Sequence, residues 1–125
     1  MLFAVAPIRG KARDAKRKDD LSKLGQILYA NSCYIPDGGP GDYDIAALVP
    51  ELVVKYPQYQ SYVSFLPYDP KSGNSSQTNY HYVYSDDGHC RIYANLENES
   101  EPLGGYVVTG PSGPNGTNIY YQISK

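Results

Sequence analysis

This sequence has no tryptophan, one methionine, two phenylalanines and two cysteines in 125 residues. Two cysteines exclude a four-cysteine zinc module, and their separation matches no metal-ligand spacing. No apolar run approaches the roughly 20 residues a membrane-spanning helix needs; the longest candidate, "MLFAVAP" at the start, has seven. Basic residues are scarce after Lys23, where four remain against ten acids. Residues 104 to 125 contain no acid at all. A phosphate-binding glycine loop, a Ser/His/Asp arrangement and a paired-carboxylate motif are also missing. His89 and Cys90 are neighbours in an extended segment and point to opposite faces, so they form no dyad. These absences argue against an enzyme, a cofactor and a small-molecule substrate.

The chain is rich in tyrosine (14), glycine (12) and proline (10). A core with so little Phe must rest on Leu, Ile, Val and the ring faces of Tyr, with many hydroxyls at the surface. The length suits one domain. Charge is unevenly placed. Seven of the eleven bases lie between Arg9 and Lys23, interleaved with Asp14, Asp19 and Asp20, so a basic stem precedes an acidic body. The stem has no aromatic residues for stacking bases and reads as a solvated helix surface.

Residues 9–32 form a predicted helix. Leu21, Leu24, Ile27 and Leu28 make one apolar stripe, whereas the first half is polar nearly all round. Pro36 and "DGGPG" stop it. Residues 33–78, punctuated by Pro50, Pro57, Pro67 and Pro70, predict an irregular crossover with at most a helical turn at Ile45 to Leu48. The period then becomes two. "NYHYVYS" sets Tyr80, Tyr82 and Tyr84 on one face, "DDG" signals a hairpin, and "HCRIYANLE" sets Cys90, Ile92, Ala94 and Leu96 on one face. "YVVTG" and "NIYYQIS" supply two further strands. The prediction is an α+β domain, one long N-terminal helix on a three- to four-stranded antiparallel sheet spanning 79–125.

Cys33 and Cys90 both fall on predicted core-facing stripes, and an acidic Tyr/Asn/Gly-rich chain fits export. A Cys33–Cys90 disulfide is therefore expected, two unrelated buried thiols being the alternative. Asp37, Asp42 and Asp44, around "DGGPGDYD", are weak Ca²⁺ candidates whose spacing matches no defined loop; ordinary turn acids are the competing reading. Tyr56, Tyr59, Tyr62 and Tyr68 are candidate exposed contact residues.

"LFAVAPIRGKARDAKRKDDLSKLGQIL" resembles the junction in type IV pilins and type II secretion pseudopilins, where the apolar half of a long helix passes into its amphipathic half. "ARDAKRKDDL" is its most specific part. The element Pro67 to Pro70 resembles the end of that family's crossover, and "YHYVYSDDGHCRIYANLENES" resembles its central hairpin, ending in the pair Leu96–Glu97. The resemblance implies that residues 1–8 are the remnant of a truncated apolar helix and that 9–125 form one pilin-like domain. It implies a structural subunit of an extracellular filament on a bacterial cell surface, held in the inner membrane before assembly. The partners implied are other copies of the chain in a helical filament and the pilus assembly machinery in the inner membrane, with surfaces or DNA as further contacts. The residues expected to pack between subunits are Arg9, Arg13, Asp14, Arg17 and Asp20. Alternatives within the resemblance are a minor pilin or adhesin that binds a surface, glycan or DNA, and a secretion pseudopilin; the acid-free C-terminal region favours a pilus subunit over a major pseudopilin.

Overall fold

The computed structural model describes residues 2–29, 32–61, 66–97, 105–107 and 112–125, with side chains described from Gly10 onward and not at 105–107. Helix α1 runs over Leu2–Leu28, strand β1 over Gly41–Asp44 and helix α2 over Ile45–Lys55. Strands β2 (Tyr80–Tyr84), β3 (Cys90–Asn95), β4 (Gly105–Val107) and β5 (Ile119–Ser124) follow. All five strands form one antiparallel sheet in the order β1-β2-β3-β5-β4. The α+β architecture thus agrees with the pattern in the sequence, with β1 added to one edge. Helix α1 lies across β3 and β5. No helix among the described residues is long and apolar enough to cross a membrane.

One stripe of α1 faces the sheet. Its buried members are Gly10, Asp14, Arg17, Leu21, Leu24 and Leu28, spaced alternately by four and three. That spacing keeps side chains on one helix face. From Leu21 onward the stripe is apolar and meets Tyr80, Tyr82, Ile92 and Ala94 in the core. The helix ends at Leu28 rather than at 32, as Tyr34 returns its N–H to the Leu28 carbonyl at 3.1 Å. Ala30 and Asn31 lie outside the described residues.

The crossover is more ordered than its prolines predict. Asp44 caps α2, accepting from the Ala46 N–H at 2.9 Å. The same carboxylate accepts from the backbone N–H groups of Thr78 and Asn79 and from the Thr78 hydroxyl, so burial, which alone would raise its pKa, is outweighed and the pKa is lowered. Ile45, Leu48 and Leu52 bury the inner face of α2. Pro50 sits inside the helix on its exposed side. It removes one hydrogen bond, and the three buried side chains outweigh that loss, each contributing about 1.5–3 kcal/mol.

The β2–β3 hairpin closes as "DDG" suggests. Ser85 and His89 pair at 2.9 Å, and Gly88 takes φ +85°, where a side chain would be strained. Tyr80 and Tyr82 are fully buried beside Ile92 and Ala94. Cys33 and Cys90 are joined, with Cα atoms 5.9 Å apart and a sequence separation of 57. Lys125 pairs its backbone with Cys90 in both directions, and its Nζ donates to the Tyr29 carbonyl at 2.9 Å. The disulfide therefore ties the segment that follows α1 to β3 where β5 finishes. Closing so long a loop restricts the unfolded chain, and in the chain-entropy treatment this is worth about 4 kcal/mol. Cys90→Ser should lower the unfolding free energy by about 2–5 kcal/mol in urea titrations, and reduction of the wild type should do the same.

Candidate functional site

The charged half of α1 turns its central residues inward. Arg17 is fully buried. Its Nε and Nη2 form a two-pronged contact with Asp69, at 2.8 and 2.9 Å. Its Nη1 reaches Asp14 at 2.7 Å and Glu97 at 2.8 Å. Arg13 engages Glu97 through both Nε and Nη2. Asp14 also accepts the Glu97 backbone N–H at 2.9 Å, which fixes the helix against the chain leaving β3. Lys71 lies 3.6 Å from Glu97 at the solvent edge. Buried charges need this degree of pairing, because desolvation costs several kcal/mol per ion.

Asp69 is heavily bonded. Beyond Arg17 it accepts the N–H groups of Lys71 and Ser72 and the amide of Asn115, at 2.9, 3.0 and 2.7 Å. Gly73 allows this turn: a Cβ there would come within 2.4 Å of the Thr78 carbonyl oxygen. The Asn115 side-chain amide also donates to the Asn95 carbonyl, and its backbone N–H donates to the Asn95 side-chain oxygen, so the 112–118 turn is fastened to the end of β3. Burial alone would raise the Asp69 pKa, yet Arg17 and these donors bring it down to about 2. Glu97 is held at about 2, chiefly by Arg13, with Arg17 reinforcing and burial opposing. Burial also opposes the charge on Arg17, but its three carboxylate partners raise its pKa above the ordinary value. Further along the helix, buried Asp20 accepts the Tyr80 hydroxyl and the Lys16 ammonium, both at 2.7 Å. Burial and that carboxylate push the Tyr80 pKa up.

This corrects the reading of the stem as a solvated surface. Asp14, Arg17 and Asp20 are buried and paired within the chain, and Arg13 engages Glu97. The physical reason is that the buried stripe continues through charged residues because Asp69, Glu97 and Asn115 wait opposite them. Arg9 lies within the α1 backbone, and its side chain is outside the described residues. The outward faces of the charged half are left to Lys11, Ala12, Ala15, Lys16 and the Lys23–Asp19 pair.

The three candidate Ca²⁺ ligands do not converge. Asp37 pairs with Lys55 at 2.5 Å, Asp42 accepts the Tyr93 hydroxyl and contacts His81 Nδ1 at 2.8 Å, and Asp44 caps α2. No group of three His, Cys, Asp or Glu residues suited to a metal occurs among the described residues. Asp37 is a turn acid paired with Lys55, and Asp42 and Asp44 are β1 residues with their own hydrogen-bond partners.

Of the tyrosines expected at the surface, Tyr56 and Tyr68 are exposed and Tyr59 is half-buried. Tyr62 lies outside the described residues. Tyr56 sits edge-on to both Tyr34 and Tyr59, with ring centroids 6.5 and 5.9 Å apart.

No known family, curated protein or solved structure matches this chain. The arrangement must therefore be interpreted from its own chemistry. A guanidinium clamped by three carboxylates holds no free base or nucleophile; it locks a helix, the 66–73 segment and the 112–118 turn to one strand end. Sequence inspection missed Asp69, Glu97, Asn95 and Asn115 as partners. The available signal was the alternate four-three spacing that runs unbroken from Gly10 to Leu28.

Arg17→Ala should cost about 3–5 kcal/mol of stability by leaving Asp69 and Asp14 buried without their counter-ion, read by urea unfolding at neutral pH. Acid should act on the wild type through the same groups. Asp69 and Glu97 have folded pKa values of about 2, below their ordinary values of 3.8 and 4.5. Their stabilisation is therefore complete above about pH 5 and is lost as pH falls towards 2, with a slope of about 1.4 kcal/mol per pH unit for each proton taken up. A stability profile flat from pH 5 to 2 would contradict this.

Proposed function

We propose that this chain is the structural subunit of a type IV pilus-like extracellular filament, assembled through α1 and without enzymatic activity. The observation that carries the reading is the single unbroken helix from Leu2 to Leu28. At 1.5 Å per residue it is about 40 Å long, while the longest strands, of six residues, span about 20 Å. The helix therefore runs well past the sheet it packs on. Its first turns carry the apolar sequence "LFAVAPI", the part best suited to bury against another apolar surface. The Arg17 cluster lies where the helix meets the domain, so stem and domain are joined rigidly. A stem of this kind, contacting a different surface on the next copy, gives a heterologous contact that propagates into a fibre.

The remaining parts of the proposal follow from that assembly. The partners are other copies of the chain, preceded by assembly machinery in the bacterial inner membrane. The destination is the cell surface, where the oxidising exterior suits a disulfide. Adhesion to surfaces or DNA would be a property of the exposed domain faces.

Filaments sheared from the source cells, imaged by cryo-electron microscopy, should contain this chain with the density of α1 at the filament centre and the sheet outside. Recovery of the chain only as a freely diffusing secreted monomer would refute the proposal. Replacing Val5 by Asp, which puts a charge into the apolar turns, should abolish filaments while the domain remains folded by circular dichroism.

A further inference from the structure

A recess lies at the end of α1 remote from the charge cluster. It has a volume of about 320 Å³, and among the described residues its walls include Ile27, Tyr34, Lys55, Tyr56, Gln58 and Tyr59. This is the lower end of the range for small-ligand sites, about 300–1,000 Å³. Tyr34 and Tyr56 meet at 66°, and Tyr56 and Tyr59 at 61°. Rings turned successively towards perpendicular do not cover one another's faces as stacked rings do, and of the three Tyr34 has Lys55 Nζ over its ring, 5.0 Å from the centroid. Tyr56 keeps 41% of its surface exposed. The other tyrosine-rich surface is built differently: His81 and Tyr93 on the outer sheet face stack on each other at 13°, so their faces cover one another.

The polar groups narrow the chemistry. Lys55 Nζ donates to the Tyr34 hydroxyl at 3.2 Å and pairs with Asp37. Its ammonium is thereby paired with a carboxylate and lies over the Tyr34 ring, so among the described lining residues no cation lacks a counter-charge. The Gln58 amide and the tyrosine hydroxyls, that of Tyr34 already accepting from Lys55, are neutral hydrogen-bonding groups on the lining residues. Ile27 and the ring faces supply an apolar floor. A ligand suited to these walls has one apolar face, a rim of hydroxyls and no charge.

We propose that this recess binds a single neutral hexopyranose unit of a glycan. The C–H face of the sugar packs on Tyr56 and its neighbours, and the ring hydroxyls bond to Gln58, the tyrosine hydroxyls and Lys55. The site belongs to the folded domain and stands whether or not the chain polymerises.

The test is an amide-resolved NMR titration of the disulfide-bonded protein with the methyl glycosides of glucose, galactose, mannose and N-acetylglucosamine, each to about 20 mM, which covers Kd values near 1 mM. At least one should give saturable shifts centred on Tyr34, Lys55, Tyr56, Gln58 and Tyr59. Tyr56→Ala should weaken that binding at least about tenfold, whereas Tyr68→Ala, at an exposed ring outside the recess, should leave it unchanged. The proposal is overturned if none of the four sugars gives saturable shifts, if the shifts centre elsewhere, or if both variants lose binding equally. Concentration-dependent shifts at the same amides without sugar would also overturn it, identifying the recess as a contact between copies.

Discussion

Burial of one guanidinium sets most of the geometry of this domain. Arg17 cannot lie in the interior without its carboxylates, and those carboxylates come from three parts of the chain: Asp14 on the same helix, Asp69 after the crossover, and Glu97 beyond β3. Each must be delivered to within hydrogen-bond distance. Delivery fixes the rotation of α1 about its axis, the path of 66–73 and, through Asn115, the 112–118 turn. Such a network is weak evidence for stability in itself, since an apolar cluster of similar volume often does as well. Its effect here is selective. A rotation of the helix by one residue would turn Leu21 and Leu24 out of the core and carry Arg17 away from Asp69 and Glu97, so alternative packings are heavily disfavoured.

Much of the architecture was legible. The long helix, the tyrosine alternation of β2, the hairpin at "DDG" and the Cys33–Cys90 pairing all follow from period and turn chemistry, because there one apolar face is buried and the pattern is direct. Strand β1 was not legible. Its four residues, "GDYD", carry no alternating apolar pair and owe their extended form to pairing with β2. Helix α2 was obscured by Pro50, which argues against a helix interior unless the cap and the buried face are counted together.

The charged half of α1 shows a different limit. Hydrophobicity patterns identify a buried face only when that face is apolar. Between Gly10 and Arg17 the buried face carries charge, and the sequence reads as a solvated surface although the four-three spacing continues through it. Reading charge as exposure sent Asp14, Arg17 and Asp20 to the wrong side of the helix. Their partners were hidden for a related reason. Asp69 sits between two prolines in "PYDPK" and looks like a turn acid, as does Asp37, which is one. Only tertiary placement separates them.

Helix α1 and the segment that follows it are bolted to β3 at two places. Cys33 joins Cys90, where the strand begins, and Asp14 and Arg17 grip Glu97, just past where it ends. The helix and strand therefore run antiparallel, and β3 is the middle strand of the sheet. A pull directed along α1 loads these two fastenings side by side and places the strand's hydrogen bonds in shear, so they must break together rather than one after another. Tension entering through the stem is thus spread across the centre of the sheet and does not peel its edge.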